Sequence, residues 1–236
     1  SIFEIGSIRI DNLGGGGNQF ANTQAVRGNP NWGWGFGRPS MDLINSFETN
    51  DPRMDASIIF LGEVLDGTEI IGDINTPDII YTDDTNTVIK EIETYNQKVY
   101  VEHSETTADA WGHNRRIIRF ADVLLMAAEA LNENGNSTEA LTYLNMVRTR
   151  ARGNESIIVL PDITETDQSL LRKLIWKERR IELCMETERF FDLVRQGRAA
   201  EILGPLGFVA GKHELLPIPQ VEIDLSEGAL SQNPNW

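Results

Sequence analysis

From Ile117 onward the apolar positions fall at helical spacing. Ile117, Phe120, Ala121, Leu124, Leu125, Ala128 and Leu131 follow an i, i+3, i+4, i+7 rule and predict a helix with one buried stripe. Asn134-Gly135 stops it, because either residue accepts a left-handed cap conformation. Ser137 or Asn136 can cap a second helix that turns Ala140, Leu141, Leu144 and Val147 inward and ends near Gly153. The 34 residues from Ile117 to Arg150 have the length of one tetratricopeptide-like unit, and Ala121, Ala128 and Ala140 let its helices approach closely. Such a unit cannot bury both faces alone, so it stacks on neighbours. A third helix starts near Thr166 or Asp167 and carries Leu170, Leu171, Leu174, Ile175, Ile181 and Leu183. A fourth, shorter one runs from about Thr187 to Gly197 with Phe190, Phe191, Leu193 and Val194. Pro217, Pro219 and Pro234 then predict an extended strap at the end of the chain.

The first 114 residues have a different texture. Ile58-Ile59-Phe60, Ile70-Ile71, Ile79-Ile80-Tyr81 and Val88-Ile89 are short β-branched runs punctuated by Gly62, Gly67, Gly72 and Pro77, which predicts small strands and long loops. Ser40 is placed to cap a short helix over Met41 to Phe47, closed by Asp51-Pro52-Arg53. The expected fold is mainly α: tetratricopeptide-like helical hairpins in 115–236, and an irregular, short-stranded region in 1–114 as the candidate ligand-binding part. Gly14 to Gly17 lacks the GK[ST] ending of a phosphate cradle and reads as a surface loop. Asp73, Asn75, Asp78, Asp83, Asp84 and Asn86 raise a structural calcium, but their spacing departs from the EF-hand loop and reads better as a solvated acidic loop. No cofactor is expected.

Charge and composition narrow the function. A net charge of −15 argues against general nucleic-acid binding, which needs a basic footprint. Cys184 is the single cysteine, so no intrachain disulfide forms, and it sits in an apolar helical context without an evident base. His103, His113 and His213 are too far apart to suggest a local ligand set. No run of about 18 apolar residues is present to span a bilayer. The chain opens on Ser1-Ile2-Phe3-Glu4-Ile5, which alternates like a strand and has neither the charged leader nor the apolar core of a signal peptide. It reads as beginning inside a longer protein.

Two groups of side chains invite a chemical reading. Glu178, Arg179, Arg180, Glu182, Glu186, Glu188, Arg189, Asp192 and Arg195 lie in one helical region. A pair of these carboxylates could serve glycoside hydrolysis, whereas arginine–carboxylate pairs that lock helices together, with Arg119 and Asp122 joining them, account for the same residues without catalysis. Trp32, Trp34 and Trp111 lie in glycine-rich or polar surroundings, off any helical stripe. Exposed rings beside polar groups can stack on sugars, which makes Trp32, Trp34, Arg38, Tyr95 and Trp111 the candidate ligand-binding residues. The alternative is that the rings fill a loop-rich core.

These elements together resemble the C-terminal part of the SusD/RagB family of Bacteroidetes. The matching residues are Ile2-Phe3-Glu4-Ile5, Asn50-Asp51-Pro52-Arg53, the run from Ile118-Arg119-Phe120-Ala121-Asp122 to Ala130, Leu144 to Ala151, Glu178-Arg179-Arg180-Ile181-Glu182-Leu183, Arg189-Phe190-Phe191-Asp192-Leu193-Val194-Arg195, Leu216-Pro217-Ile218-Pro219 and Gln232-Asn233-Pro234. Their ordered succession is what makes the likeness specific. The resemblance implies a non-enzymatic oligosaccharide-binding protein of an outer-membrane polysaccharide-uptake system that delivers its ligand to a TonB-dependent transporter. It also implies a surface-exposed location, held by an N-terminal lipid anchor that these 236 residues do not include. A helical-repeat module that binds a protein and has no glycan site of its own is the competing expectation.

Overall fold

The computed structural model describes residues 1–7, 19–73, 79–82, 88–102, 106–107 and 110–236. The glycine run at 14–17, all of the acidic loop positions except Asp73, and His103 lie outside the described residues. The chain forms two compact units, one of residues 1–79 with 91–187 and the other of residues 80–90 with 188–236.

The first unit opens with β1 (Phe3–Ile5), α1 (Gln19–Gln24), α2 (Met41–Ile44), β2 (Ile58–Phe60), β3 (Val64–Leu65) and β4 (Thr68–Glu69). The Ser40 side chain caps α2 by accepting from the Leu43 amide, as its position in the sequence predicts. The strands β5 (Ile79–Thr82) and β6 (Val88–Glu91) pair with each other, and most of both falls in the second unit. They are followed by β7 (Thr94–Asn96), β8 (Thr106–Thr107), β9 (Ala110–Trp111) and β10 (Arg115–Ile118). All sheets among the described residues are two-stranded. In the antiparallel pair β2–β7, Ile59 lies opposite Tyr95; in β1–β10, Glu4 lies opposite Arg116. Ile70-Ile71 forms no strand, although Ile70 is fully buried. One core gathers Ala21, Ala25, Val26, Trp32, Ile59, Ile70, Tyr95 and Val99.

The helical part comprises α3 (Phe120–Glu133), α4 (Ser137–Arg152) and α5 (Gln168–Glu182). Ile117 belongs to β10, not to α3, because its neighbours Arg115, Arg116 and Ile118 pair with β1 and Arg119 is still extended (φ −107°, ψ 154°). Phe120 is accordingly exposed, and the stripe that is buried starts one turn later at Leu124 and Leu125. Those two join Ala128, Ala140, Leu144, Val147, Leu171 and Ile175 in a second core. Gly135 takes the left-handed turn after α3, and Asn136 caps α4 through the Glu139 amide while its own side-chain amide reaches the Glu139 carboxylate. Asp167 caps α5 by accepting from Ser169 and Leu170. Fully buried Asn132 binds Ser137 (2.9 Å) and the Gln168 carbonyl (2.9 Å), which fixes three helix ends against one another.

The buried face of α5 changes character along its length. Leu171 and Ile175 supply the apolar core, and one and two turns further on the same face carries Glu178 and Glu182, both only 3% exposed. Arg53 donates to Glu178 (2.5 Å) and Glu182 (3.4 Å) while its other edge grips Asp51 (2.7 and 2.9 Å). Arg148 joins Glu178 (2.8 Å) to Glu48 with a two-pronged contact (2.8 and 3.0 Å). Arg119 bridges Glu182 (3.0 Å) and Glu186 (2.6 Å), Arg150 also reaches Glu182, and Lys98 binds Glu186 (2.6 Å). Five acids thus meet five bases, so the cluster is neutral and each buried carboxylate has a cation. The pairing that the sequence offers as a lock between helices is present, with Arg179–Asp122 (2.8 Å) beside it.

The second unit holds α6 (Arg189–Arg195), α7 (Ala199–Leu203) and α8 (Gln220–Leu225). Arg195 pairs with the buried Asp192 (2.7 Å). The expected extended strap is interrupted by α8, because Pro219 stands just before the helix, where a missing amide costs nothing. Gln232 then binds both the amide and the carbonyl of Ile218 (2.8 and 2.9 Å), closing the tail on itself.

Removing Glu178 leaves Arg53 and Arg148 short of a partner in a buried site. Glu178→Ala is expected to lower stability by about 3–5 kcal/mol in urea unfolding, while Glu133→Ala, which breaks an exposed pair with Arg172, leaves the midpoint nearly unchanged. Burial opposes ionisation of Glu186, but Lys98 and Arg119 outweigh it and hold its carboxyl below the ordinary 4.5. A depressed carboxylate stabilises the fold above its unfolded value and loses that contribution as pH falls through its folded value. Thermal stability is therefore expected to fall below about pH 4.5, and Glu186→Gln to flatten that acid limb.

Candidate functional site

Trp32-Gly33-Trp34-Gly35-Phe36-Gly37 places three rings at every second position. In a regular strand all three would share one face. They do not: Trp32 is 7% exposed and packed in the first core, whereas Trp34 is 43% and Phe36 58% exposed. Gly35 and Gly37 have φ of 69° and 62°, a left-handed conformation that ends the alternation after Trp34. The two exposed rings meet edge to face, with centroids 6.1 Å apart.

The backbone beneath these rings is fixed to the end of α1. Trp32 and Gly33 donate to the Val26 carbonyl (2.9 and 2.8 Å), Trp34 to Asn22 (3.0 Å), Gly35 to Ala25 (3.0 Å) and Phe36 to Thr23 (2.7 Å). Gly33 admits this approach because a Cβ there would lie 2.1 Å from the Asn22 carbonyl oxygen. Five backbone bonds over five residues make the loop a rigid mount.

Tyr95 supports the mount from below. It is 1% exposed, and its ring lies so close under Gly35 that a Cβ at that glycine would come within 3.2 Å of Cε1. Its hydroxyl sits 3.0 Å from the Arg27 carbonyl and is hydrogen-bonded to Glu93. Glu93 also accepts from the Asp73 amide (2.8 Å), and Asp73 pairs with the Arg27 guanidinium (3.2 Å). Burial pushes the Tyr95 phenol upward, as does Glu93, while the charge of Arg38 acts on it in the opposite sense. Arg27, Asp73, Glu93 and Tyr95 therefore close a ring of contacts under the aromatic loop, with Arg38 at its edge.

Of the sequence-predicted residues, Trp34 and Arg38 lie on the loop surface, and Trp32 and Tyr95 lie beneath it. Trp111 is in β9, opposite Thr106 of β8. Phe36 and Arg27 were not singled out by sequence reasoning; the alternation of rings with glycine is the signal that marks Phe36, whereas nothing local marks Arg27. Elsewhere in this unit, Phe20, Lys98, Val99, His113, Arg116, Met185 and Glu186 line a shallow pocket. Arg115 lies over the Phe20 ring (4.6 Å), and His113 stacks on it. Burial pushes the His113 imidazole down.

A sequence model described as the SusD family matches residues 1–236. SusD-like protein P2 of Formosa agariphila is 29% identical to this chain, over 97% of it and 46% of the relative's own length. A solved structure titled laminarin binding SusD-like protein is 28% identical and superposes with a TM-score of 0.73, over 100% of this chain and 50% of that one. Surface glycan-binding protein A from Bacteroides thetaiotaomicron, at 24% identity, superposes with a TM-score of 0.69 over 100% of this chain and 52% of that one, and speaks to the fold alone. The chain spans about half the length of these relatives, and its mainly helical, tetratricopeptide-like architecture with short strands is theirs.

A methyl group at Gly33 collides with the Asn22 carbonyl, so Gly33→Ala is expected to detach the loop from α1. It should cost about 1–3 kcal/mol and shift the tryptophan emission spectrum. Gly204→Ala, where φ is −53° and nothing lies within 4 Å, is expected to change neither.

Proposed function

Because the chain belongs to the SusD family, we propose that it is a non-catalytic glycan-binding protein of an outer-membrane polysaccharide-uptake system, which holds oligosaccharide on the Trp34–Phe36 loop for delivery to a TonB-dependent transporter. The observation that carries this reading is a pair of exposed rings on backbone already fixed by five hydrogen bonds. Rings ordered before the ligand arrives lose little freedom on binding. An indole or phenyl face covers the apolar side of a sugar ring, and the nearby Arg38 donates to its hydroxyls. Trp32 and Tyr95 serve from beneath by holding the loop, and Trp111 is an additional contact from the same loop-rich part. In the cell an N-terminal lipid anchor holds the protein at the outer-membrane surface.

The carboxylates support a binding role over hydrolysis. A glycosidase needs one carboxylic acid that keeps its proton and a second carboxylate facing it across the substrate. Glu178, Glu182 and Glu186 are instead each engaged by two or more cations in the core of the unit. Such residues are committed to the fold.

The laminarin-binding relative makes laminarin oligosaccharides the first ligand to try. Calorimetric titration is expected to give a dissociation constant in the micromolar to millimolar range, about −4 to −8 kcal/mol. Trp34→Ala/Phe36→Ala should weaken it by at least about tenfold, with the unfolding midpoint unchanged. Unaltered affinity in the double variant would move the site elsewhere. Absence of binding to any member of a glycan panel by the folded chain would turn the reading to a protein-binding module, and release of new reducing ends would overturn the non-enzymatic role.

A further inference from the structure

Most described arginines of this unit pair with a carboxylate, Arg115 lies over the Phe20 ring and Arg116 donates to the Lys98 carbonyl; Arg38 does none of these. Acids outnumber bases by 36 to 21 in this chain, so an arginine finds a carboxylate easily. Arg53, Arg119, Arg148, Arg150, Arg152, Arg179 and Arg180 all do so. Arg38 is half-buried and makes no hydrogen bond or ion pair with the described residues, although it stands two residues after Phe36 and four after Trp34. Its backbone is not free to move it away, since the Pro39 carbonyl that follows accepts from the buried Thr94 hydroxyl (3.1 Å). A guanidinium whose donors no described residue uses gains most from an anionic acceptor.

A second guanidinium approaches the same loop. The Arg27 side chain packs against Gly35, which separates Trp34 from Phe36 in the sequence: a Cβ at that glycine would lie 2.9 Å from Arg27 Cβ and 3.6 Å from its Cδ. Its Nε is held by Asp73 at 3.2 Å, but the side chain is 58% exposed and leaves donors toward solvent. Two arginines therefore adjoin the aromatic loop, Arg27 by its contact with Gly35 and Arg38 by standing two residues after Phe36, on a protein that is strongly acidic overall. A neutral sugar needs hydrogen-bond donors but not fixed positive charge; an anion needs both, all the more against a repulsive background.

Building on the glycan-binding reading, we propose that this loop selects glycans carrying an anionic group, a carboxylate or a sulfate ester, with Arg38 as its main contact and Arg27 as an auxiliary one. The rings hold the apolar face of one sugar unit, and the charged substituent of that unit or its neighbour lies against the guanidinium groups. Arg38 sets specificity; the rings set basal affinity.

The test keeps the glycan backbone constant. A laminarin oligosaccharide, the same oligosaccharide oxidised at C6 to the uronate, and the same bearing sulfate esters are titrated against the full chain. At low salt at least one anionic form is expected to bind about fivefold or more tighter than the neutral one, and the ratio to shrink toward one at about 0.5 M salt. Which anionic form gains tells carboxylate from sulfate. Arg38→Gln should abolish the ratio, Arg38→Lys restore part of it, and Arg27→Gln reduce it. Equal or weaker binding of both anionic forms by a chain that binds the neutral one overturns the proposal and leaves the glycan-binding reading intact. A preference that survives Arg38→Gln combined with Arg27→Gln overturns the assignment of these residues. Failure of the folded chain to bind all three glycans overturns both the proposal and the reading beneath it.

Discussion

The two carboxylates of Glu178 and Glu182, enclosed in the first unit, are the constraint on which that unit is arranged. A buried carboxylate without a cation would be intolerable, and each of these draws cations from chain segments far away in sequence. Arg53 comes from the turn after α2, Arg119 from the junction of β10 and α3, and Arg148 and Arg150 from α4. Apolar contacts on α5 tolerate small rotations of the helix, because one methyl group replaces another. Bonds of 2.5–3.0 Å to fixed guanidinium groups do not. The ionic end of α5 therefore sets the helix orientation that its apolar end merely accommodates.

The same cluster connects the helical core to the loop-rich one. Lys98 binds Glu186 and the Glu182 carbonyl (2.8 Å), and Asn96, buried in β7, donates to the Met185 carbonyl (3.3 Å). Those contacts pin the end of β7, whose middle residue, Tyr95, lies under Gly35. A physical path thus runs from the arginine–carboxylate cluster through β7 to the backbone that mounts Trp34 and Phe36. Rigidity at the platform follows from charge pairing well away from it.

Much of the scaffold was legible from spacing. The stripes of α3, α4 and α5, the stop at Asn134-Gly135 and the caps at Asn136 and near Asp167 all depend on neighbours within four residues, which is what periodicity reports. The cluster was only half legible. Acids and bases at helical spacing announced ion pairing, yet Arg53 and Lys98 stand far from α5 in sequence, and no local pattern assigns them to Glu178 or Glu186. Ile117 misled because its apolar character suits a helix stripe and a strand equally. In the aromatic loop, the even spacing of Trp32, Trp34 and Phe36 does not say that the first ring is buried and the other two exposed, nor that Gly35 and Gly37 take a positive φ. A glycine permits a positive φ without announcing it.

On the proposed reading, this division of labour lets glycan binding rest on a small contact surface. Two rings and one or two guanidinium groups offer little area, and a loop that had to order itself around a sugar would lose most of that gain to entropy. Here the ordering is completed during folding, by backbone bonds to α1, by Tyr95 beneath Gly35 and by the Arg27–Asp73–Glu93 circuit. The weak interactions left at the surface then act at nearly full strength. On that reading, specificity can change with the few side chains that project from the loop, while the mount and its ionic foundation stay as they are.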